Sequence, residues 1–382
     1  MKSKTNENIG IIGTGSEWSG LPVVRSVGDN VHLLSQNINT TTSHSKYIKV
    51  KHQLFQKLDN DLISQIISIC VSNNIKNVIC LDEEIKYLLV KKNIKDKIIF
   101  ASPSLRNYAI SFKKNKSSAF VASLGVPVPK IIKIENESEI DNQFNNNKRI
   151  VIRGIRGVSS LCVRYANNKN ELTKYYKELI EMDTNNQFVD SKPFLQEYVG
   201  GPTYLTQALA QNGKVKIVIP HFKFREWPLS GGVTSRAVTI YEPRLIKYTK
   251  LILNALNWHG EAGIEWKYDE NKNDFTFIEI NPRFEGSVDL AIKAGVNLPL
   301  LLLNILKNKR IPNNLKYKIG IHYRWFFRND YKNFLWNDYG LTTLIKEAFD
   351  PKIHQEIVFK DINVIKSLWK APLSGLVQRL KE

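Results

Sequence analysis

The chain has 382 residues, 42% of them hydrophobic, which gives two or three domains with cores of their own. With 24% charged and 10% aromatic residues it is not globally disordered; no apolar run reaches the roughly 18–20 residues of a membrane span, and the stretch MKSKTNENIGIIGTG, with no h-region and no small-residue cleavage site, argues against secretion. Its 55 Lys and Arg exceed 36 Asp and Glu by 19, a basic surplus that admits nucleic acid, an anionic surface or phosphate-rich small molecules as partners.

In chain order, residues 9–12 form an apolar run that meets Gly13, Gly15 and Gly20, followed by helical spacing through Leu21, Val24 and Val27. Residues 31–34 read as a second strand. Leu62, Ile63, Ile66, Ile67 and Cys70 have helical spacing, and residues 77–81 and 97–100 read as further strands. Strands alternating with helices predict a parallel sheet over residues 1–110. A helix over 114–124 ends at Gly125, where Val126-Pro127-Val128-Pro129 forces extended backbone. The polar stretch 135–148 is predicted to run over the surface. From Arg149 the pattern changes to paired strands: RIVIRG, SSLCVRYA, PFLQEYV, TYLTQALA, KVKIVIPHF and AVTIYE. Helices return at 244–256 and 287–294. The segment after Pro312 interleaves bases with aromatics; its run from Lys316-Tyr317-Lys318 through Arg328 reads either as a base-stacking surface or, more simply, as a strand with an apolar face and basic edges. The three cysteines, Cys70, Cys80 and Cys162, lie in apolar stretches without metal spacing and read as buried thiols of a reducing cytoplasm.

The glycines at 13, 15 and 20 invite a dinucleotide-binding reading, but Trp18 stands where close backbone approach to a pyrophosphate is needed. A tight strand-to-helix turn in a Rossmann-like domain without NAD explains them. The sharper signal is Gly263-Ile264-Glu265-Trp266-Lys267 followed by Phe275-Thr276-Phe277-Ile278-Glu279-Ile280-Asn281-Pro282-Arg283. Each carboxylate sits in a strand-like run, and the DENKND between them is turn chemistry. Alternation puts Phe275, Phe277, Glu279 and Asn281 on one face. Glu265, Glu279 and Asn281 together supply an all-oxygen set suited to Mg²⁺, and Arg283 adds a planar fork for phosphate. The competing reading is a half-exposed hairpin whose acids face solvent.

The order of Lys114, the GVPVP turn, the run from Arg149 to Ser160, the FLQEYVGG segment and E-x-N-P-R resembles the ATP-grasp superfamily, most closely its carboxylate–amine ligase and carbamoyl-phosphate-synthase-like branch. The resemblance runs from about residue 8 to about residue 310. It implies an α/β and α+β multidomain chain: a Rossmann-like pre-ATP-grasp domain over 1–110, a small lobe over 111–190, a large lobe with the metal site over 191–310, and a C-terminal segment over 311–382. By the same resemblance Lys114 and Arg153 contact nucleotide phosphates, with Arg153 standing where the family usually has Lys. Gly154, Gly157, Ser159 and Ser160 belong to the flexible phosphate loop. Gln196, Glu197 and Val199 form the adenine hinge. Glu265, Glu279 and Asn281 hold magnesium, expected as two ions with Mn²⁺ as a substitute. Arg283 steadies the transferred phosphate, and Arg225 and Arg236, in the loop REWPLSGGVTSR, are anion contacts. The implied reaction is ATP-dependent activation of a carboxylate as an acyl phosphate for attack by an amine.

Around this set, Glu285, Gly286 and Ser287 begin a helix, either as substrate contacts or with Ser287 as a plain N-cap. The histidines show no metal spacing, and His221 and His259 read as packed or surface residues. Two other functions stay in view: a basic nucleic-acid-binding protein on a degenerate nucleotide fold, and a carboxy-phosphate enzyme using bicarbonate. The expected partners are a small carboxylate and an amine in the cytoplasm, with no membrane span and with homo-oligomer formation left open.

Overall fold

The computed structural model describes residues 7–13, 18–94, 96–132, 149–155, 162–184, 192–229, 231–336, 339–370 and 372–374. The chain divides into two compact units. The first takes Met1–Tyr108, Leu205–Gly263 and Asn281–Glu382; the second takes Ala109–Tyr204 and Ile264–Ile280.

The first unit begins with a parallel sheet of β1 (Asn8–Ile12), β2 (Val31–Ser35), β3 (Ile48–Gln53) and β4 (Ile75–Cys80), in the order β3-β2-β1-β4. β2 is buried along its whole length and β1 over its last four residues, as expected of strands covered on both faces. β3, with the sequence IKVKHQ, alternates between half-buried and exposed as an edge strand does. Its lysines and glutamine hid it from the hydrophobic pattern. Helices Gly20–Val27 and Asn60–Ser72 cross between strands, and helix Glu83–Lys92 follows β4. Two of them start on aspartates that accept backbone N–H groups, Asp59 from residues 61 and 62 and Asp82 from residues 84 and 85. The strand expected at 97–100 reduces to one bridge, Asn77 to Ile99. Cys70 and Cys80 are buried and Cys162 half-buried, and burial pushes the Cys70 thiol up to about 12.

In the second unit β5 (Ile131–Ile132), β6 (Ile150–Arg153), β7 (Val163–Ala166) and β8 (Phe194–Glu197) form an antiparallel sheet ordered β5-β8-β6-β7. Helix Lys169–Thr184 covers it, burying Leu172, Tyr176 and Leu179 against Ile150, Ile152 and Leu195. That helix was not among the sequence-predicted elements. Helix Lys114–Ser123 begins where the sequence places it. The polar stretch 135–148 lies outside the described residues.

The remaining strands are β9 (Thr203–Gln211), β10 (Lys214–Trp227), β11 (Val233–Thr239), β12 (Gly260–Asp269), β13 (Asp274–Asn281), β14 (His322–Arg324) and β15 (Ile353–Gln355). They form one sheet, ordered β13-β12-β9-β10-β11-β14-β15, and the chain passes between units along β9, β12 and β13. Ile11, Leu33 and Ile79 of the parallel sheet share a core with Leu209, Ile219 and the leucine-rich helix Leu298–Leu306. The run from His322 to Arg328 departs from the predicted strand. β14 stops after three residues and a π-helical turn, Phe326–Asp330, follows. Arg324 is fully buried rather than at a solvent edge, because Asp330 takes its guanidinium at 2.7 Å. Among the described residues no helix is long and apolar enough to cross a membrane.

Candidate active site

In the second unit Lys114 opens its helix and Arg153 closes β6, and both meet Glu279 of β13. Lys114 Nζ and Arg153 Nη2 lie 3.1 and 2.6 Å from the same oxygen, Glu279 Oε2. Arg153 Nη1 also donates to the Ile278 carbonyl at 3.1 Å, which fixes the plane of its fork. Arg153 is 5% exposed, Lys114 12% and Glu279 17%, so the pairing is shielded without being sealed from solvent. The hairpin differs from one with solvent-facing acids. Phe275, Thr276, Phe277 and Ile280 are all buried, so both faces of β13 are covered, and Trp266 packs edge-on against Phe277 at 5.9 Å. Glu265 is half-buried on β12.

The Gly154 N–H donates to the Cys162 carbonyl at 2.8 Å; Gly157, Ser159 and Ser160 lie outside the described residues. Gln196 is 2% exposed, and its Nε2 is a buried donor with no hydrogen-bond partner among the described residues. Glu197 is exposed, with its N–H on the Lys130 carbonyl at 2.9 Å, and Val199 is half-buried. Beside this edge Arg149 stacks between Tyr165 and Tyr198, 4.7 and 4.8 Å from their ring centres.

In the first unit the Asn281-Pro282-Arg283 segment is held at every residue. Asn281 Nδ2 donates to Glu285 Oε1 at 2.7 Å, so the amide oxygen is the face left for a ligand. Lys86 donates to the Pro282 carbonyl at 3.0 Å and pairs with Glu261 at 2.6 Å; both side chains are 2% exposed. Burial pushes the Glu261 carboxyl up, against the pull of Lys86. Arg283 pairs with Glu83 at 2.7 Å and lies 3.6 Å from Glu285. A Cβ at Gly263 would stand 2.0 Å from Glu285 Oε1, so any side chain there would displace Glu285 from Asn281. Sequence reading missed Glu83, Lys86 and Glu261. Their partners lie about two hundred residues away, and a helix that starts Asp-Glu-Glu announces only its N-terminus.

Arg225 and Arg236 are also in this unit, inside an ion cluster. Arg225 donates to Asp330 at 2.9 and 2.7 Å and to Glu347 at 2.9 and 2.5 Å. Arg236 also donates to Glu347, and Arg324 lies 3.8 Å from it. Ser287 makes no side-chain cap to the following short helix; its hydroxyl pairs with His221 Nε2 at 3.0 Å. His221 is fully buried. Among the described residues no three His, Cys, Asp or Glu side chains gather as a metal site.

A family model described as ATP-grasp in the biosynthetic pathway with Ter operon matches residues 190–327. The solved structures supply the rest. The L-amino acid ligase of Bacillus licheniformis superposes with a TM-score of 0.67 at 16% identity, over 84% of this chain and 80% of that one. The chain has the ATP-grasp fold. The biotin carboxylase domain of Hydrogenobacter thermophilus 2-oxoglutarate carboxylase, solved with Mg-ADP and bicarbonate, gives 0.64 at 14% identity over 82% and 73%. The N5-carboxyaminoimidazole synthetase of Staphylococcus aureus gives 0.62 at 16% identity over 83% and 81%. No curated protein sequence matches the chain. At these identities the shared property is the ATP-grasp architecture, and the chemistry must be argued from the side chains.

Proposed function

We propose that this chain is an ATP-dependent ligase that joins a carboxylate to an amine and releases ADP and phosphate. The observation that carries the reading is the meeting of Lys114 and Arg153 at Glu279 Oε2. Two cations at a shielded carboxylate are what a triphosphate–metal site requires: positive groups for the phosphates beside an oxygen ligand for the ion.

The donor set fits magnesium. Glu265 and Glu279 offer carboxylates, and Asn281 offers an amide oxygen because its nitrogen is engaged by Glu285. Bound there, Mg²⁺ would neutralise phosphate charge. The protein's own part is positioning. Lys114 and Arg153 hold the phosphates, Gln196 to Val199 hold adenine, and Arg283 is kept in place by Glu83 for the phosphate in flight. In the reaction a substrate carboxylate oxygen attacks the γ-phosphorus and the bond to ADP breaks. The amine then attacks the acyl carbon, a C–N bond forms, and phosphate leaves with the proton lost from nitrogen to solvent or base. Arg225 and Arg236 are assigned to the substrate carboxylate.

A screen for ADP release with Mg²⁺, against amino-acid pairs, small peptides and amino sugars, tests the reading beside Glu279→Gln. The parent should release ADP only with a suitable carboxylate, and the variant should lose about 10²–10³-fold in kcat. A variant as active as its parent sinks the metal assignment. No stimulation by any carboxylate sinks the ligase.

A further inference from the structure

Helix Leu341–Phe349 lies on the first unit in an unusual way. Of its described side chains only Glu347 is buried; Ile345 is 50% and Phe349 83% exposed. Amphipathic helices normally seat an apolar stripe. This one inserts a carboxylate. Glu347 reaches Arg225 through both oxygens, in the parallel fork geometry of an arginine–carboxylate pair, and Arg236 through one of them. The contacts to the arginines outweigh the cost of burial and hold its carboxyl below the usual range.

The receptor is built independently of its occupant. Asp330 fixes Arg225 from the other side and Arg324 at 2.7 Å. Phe334 lies against both guanidiniums, at 5.6 and 4.9 Å, and Phe224 lies 4.5 Å from that of Arg236. Among the described residues, three arginines meet two carboxylates in this cluster. Two donors in the cluster are buried with no hydrogen-bond partner among the described residues: Arg324 Nη2, on a side chain 1% exposed, and Arg236 Nε. Buried donors of this kind are costly unless something fills them.

We infer that Arg225, Arg236 and Arg324 form a receptor for the carboxylate of a small molecule, and that Glu347 occupies it as an internal stand-in displaced when that carboxylate binds. The C-terminal helix then reports whether the receptor is filled. The inference deepens the ligase reading by naming the regulation of its carboxylate subsite, and it rests on that reading only for the identity of the incoming molecule.

The test omits ATP, so its failure is distinct from failure of the ligase. Full-length Glu347→Ala is melted in sodium acetate and in sodium chloride of equal ionic strength. Acetate should raise its melting temperature saturably, by about 2–4 °C, with no such difference in the parent. Equal responses to the two salts overturn the receptor. Glu347→Gln, which keeps the side-chain volume, provides the second arm by hydrogen exchange. Exchange across residues 341–349 should rise at least about tenfold over the parent, since the one buried anchor among the described side chains of the helix has lost its charge. Unchanged protection there shows that Glu347 does not seat the helix and overturns the stand-in.

Discussion

His221 shows how one buried side chain sets a pH dependence. Its ring is enclosed with Ser287 as hydrogen-bond partner, and burial pulls its pKa down from 6.5 to about 3. The folded chain therefore refuses a proton that the unfolded chain accepts. Its contribution is fully present above about pH 6.5 and is lost as the pH falls toward about 3, at a slope of about 1.4 kcal/mol per pH unit. Urea midpoints measured across that window should steepen accordingly, and His221→Gln should flatten the acid limb by one proton. An unchanged slope in the variant would place the acid sensitivity elsewhere. The sequence offered His221 only as packed or surface, because nothing local distinguishes a histidine facing Ser287 from one facing water.

At the scale of elements, helix Glu83–Lys92 links the parallel sheet to the segment carrying Asn281 and Arg283. Asp82 caps it, Glu83 and Glu84 complement its first turn, and Lys91 and Lys92 its last. From this rigid start it directs Glu83 to Arg283 and Lys86 to Glu261 and Pro282. Lys86→Met would leave Glu261 buried without its cation, so that it must either stay charged unpaired or take up a proton, at a cost of up to about 3–5 kcal/mol. The double variant Lys86→Met with Glu261→Gln should recover most of that loss, because no uncompensated charge remains. Denaturant midpoints of the two singles and the double decide it; additive losses would mean the pair is not coupled. The same helix marks the limit of sequence legibility. Glu279, Arg153 and Lys114 were named from motif order, and the structure brings those three together because each stands at the end of, or within, a short strand or helix the pattern revealed. Lys86 and Glu261, 175 residues apart, and Arg225 with Glu347, 122 apart, were not paired from sequence. Their pairing depends on tertiary placement, and charged residues there break the apolar periodicity that reading relies on.

For the whole molecule, the net charge of +19 separates into interior and surface parts. Arg25, Lys86, Arg153, Arg225, Arg324 and Arg328 are each paired with a buried or largely buried acid. Most of the surplus is thus carried by other, less enclosed bases, and a nucleic-acid partner is not needed to account for the buried ones. The pairing also joins distant parts of the sequence. Asp361, with its side chain fully buried, accepts from Arg25 at 3.0 Å, from the Ser45 hydroxyl at 2.9 Å and from the Lys46 N–H at 3.0 Å. Arg25 reaches on to the Glu356 carbonyl at 3.0 Å, while Leu21 packs with Phe327, Val364 and Leu368. Helix Ile362–Leu368 is therefore part of the core of the first unit rather than an appendage, and its loss should be felt globally. Asp361→Ala removes one acceptor from three donors and should cost about 3–5 kcal/mol, because Arg25 is left largely buried and unbalanced. Asp361→Asn keeps an acceptor oxygen and should cost less. Were the alanine variant to melt like the parent while residues 353–368 alone became protease-sensitive, the C-terminal segment would be a separable attachment; a lowered melting temperature with one cooperative transition is what a shared core requires.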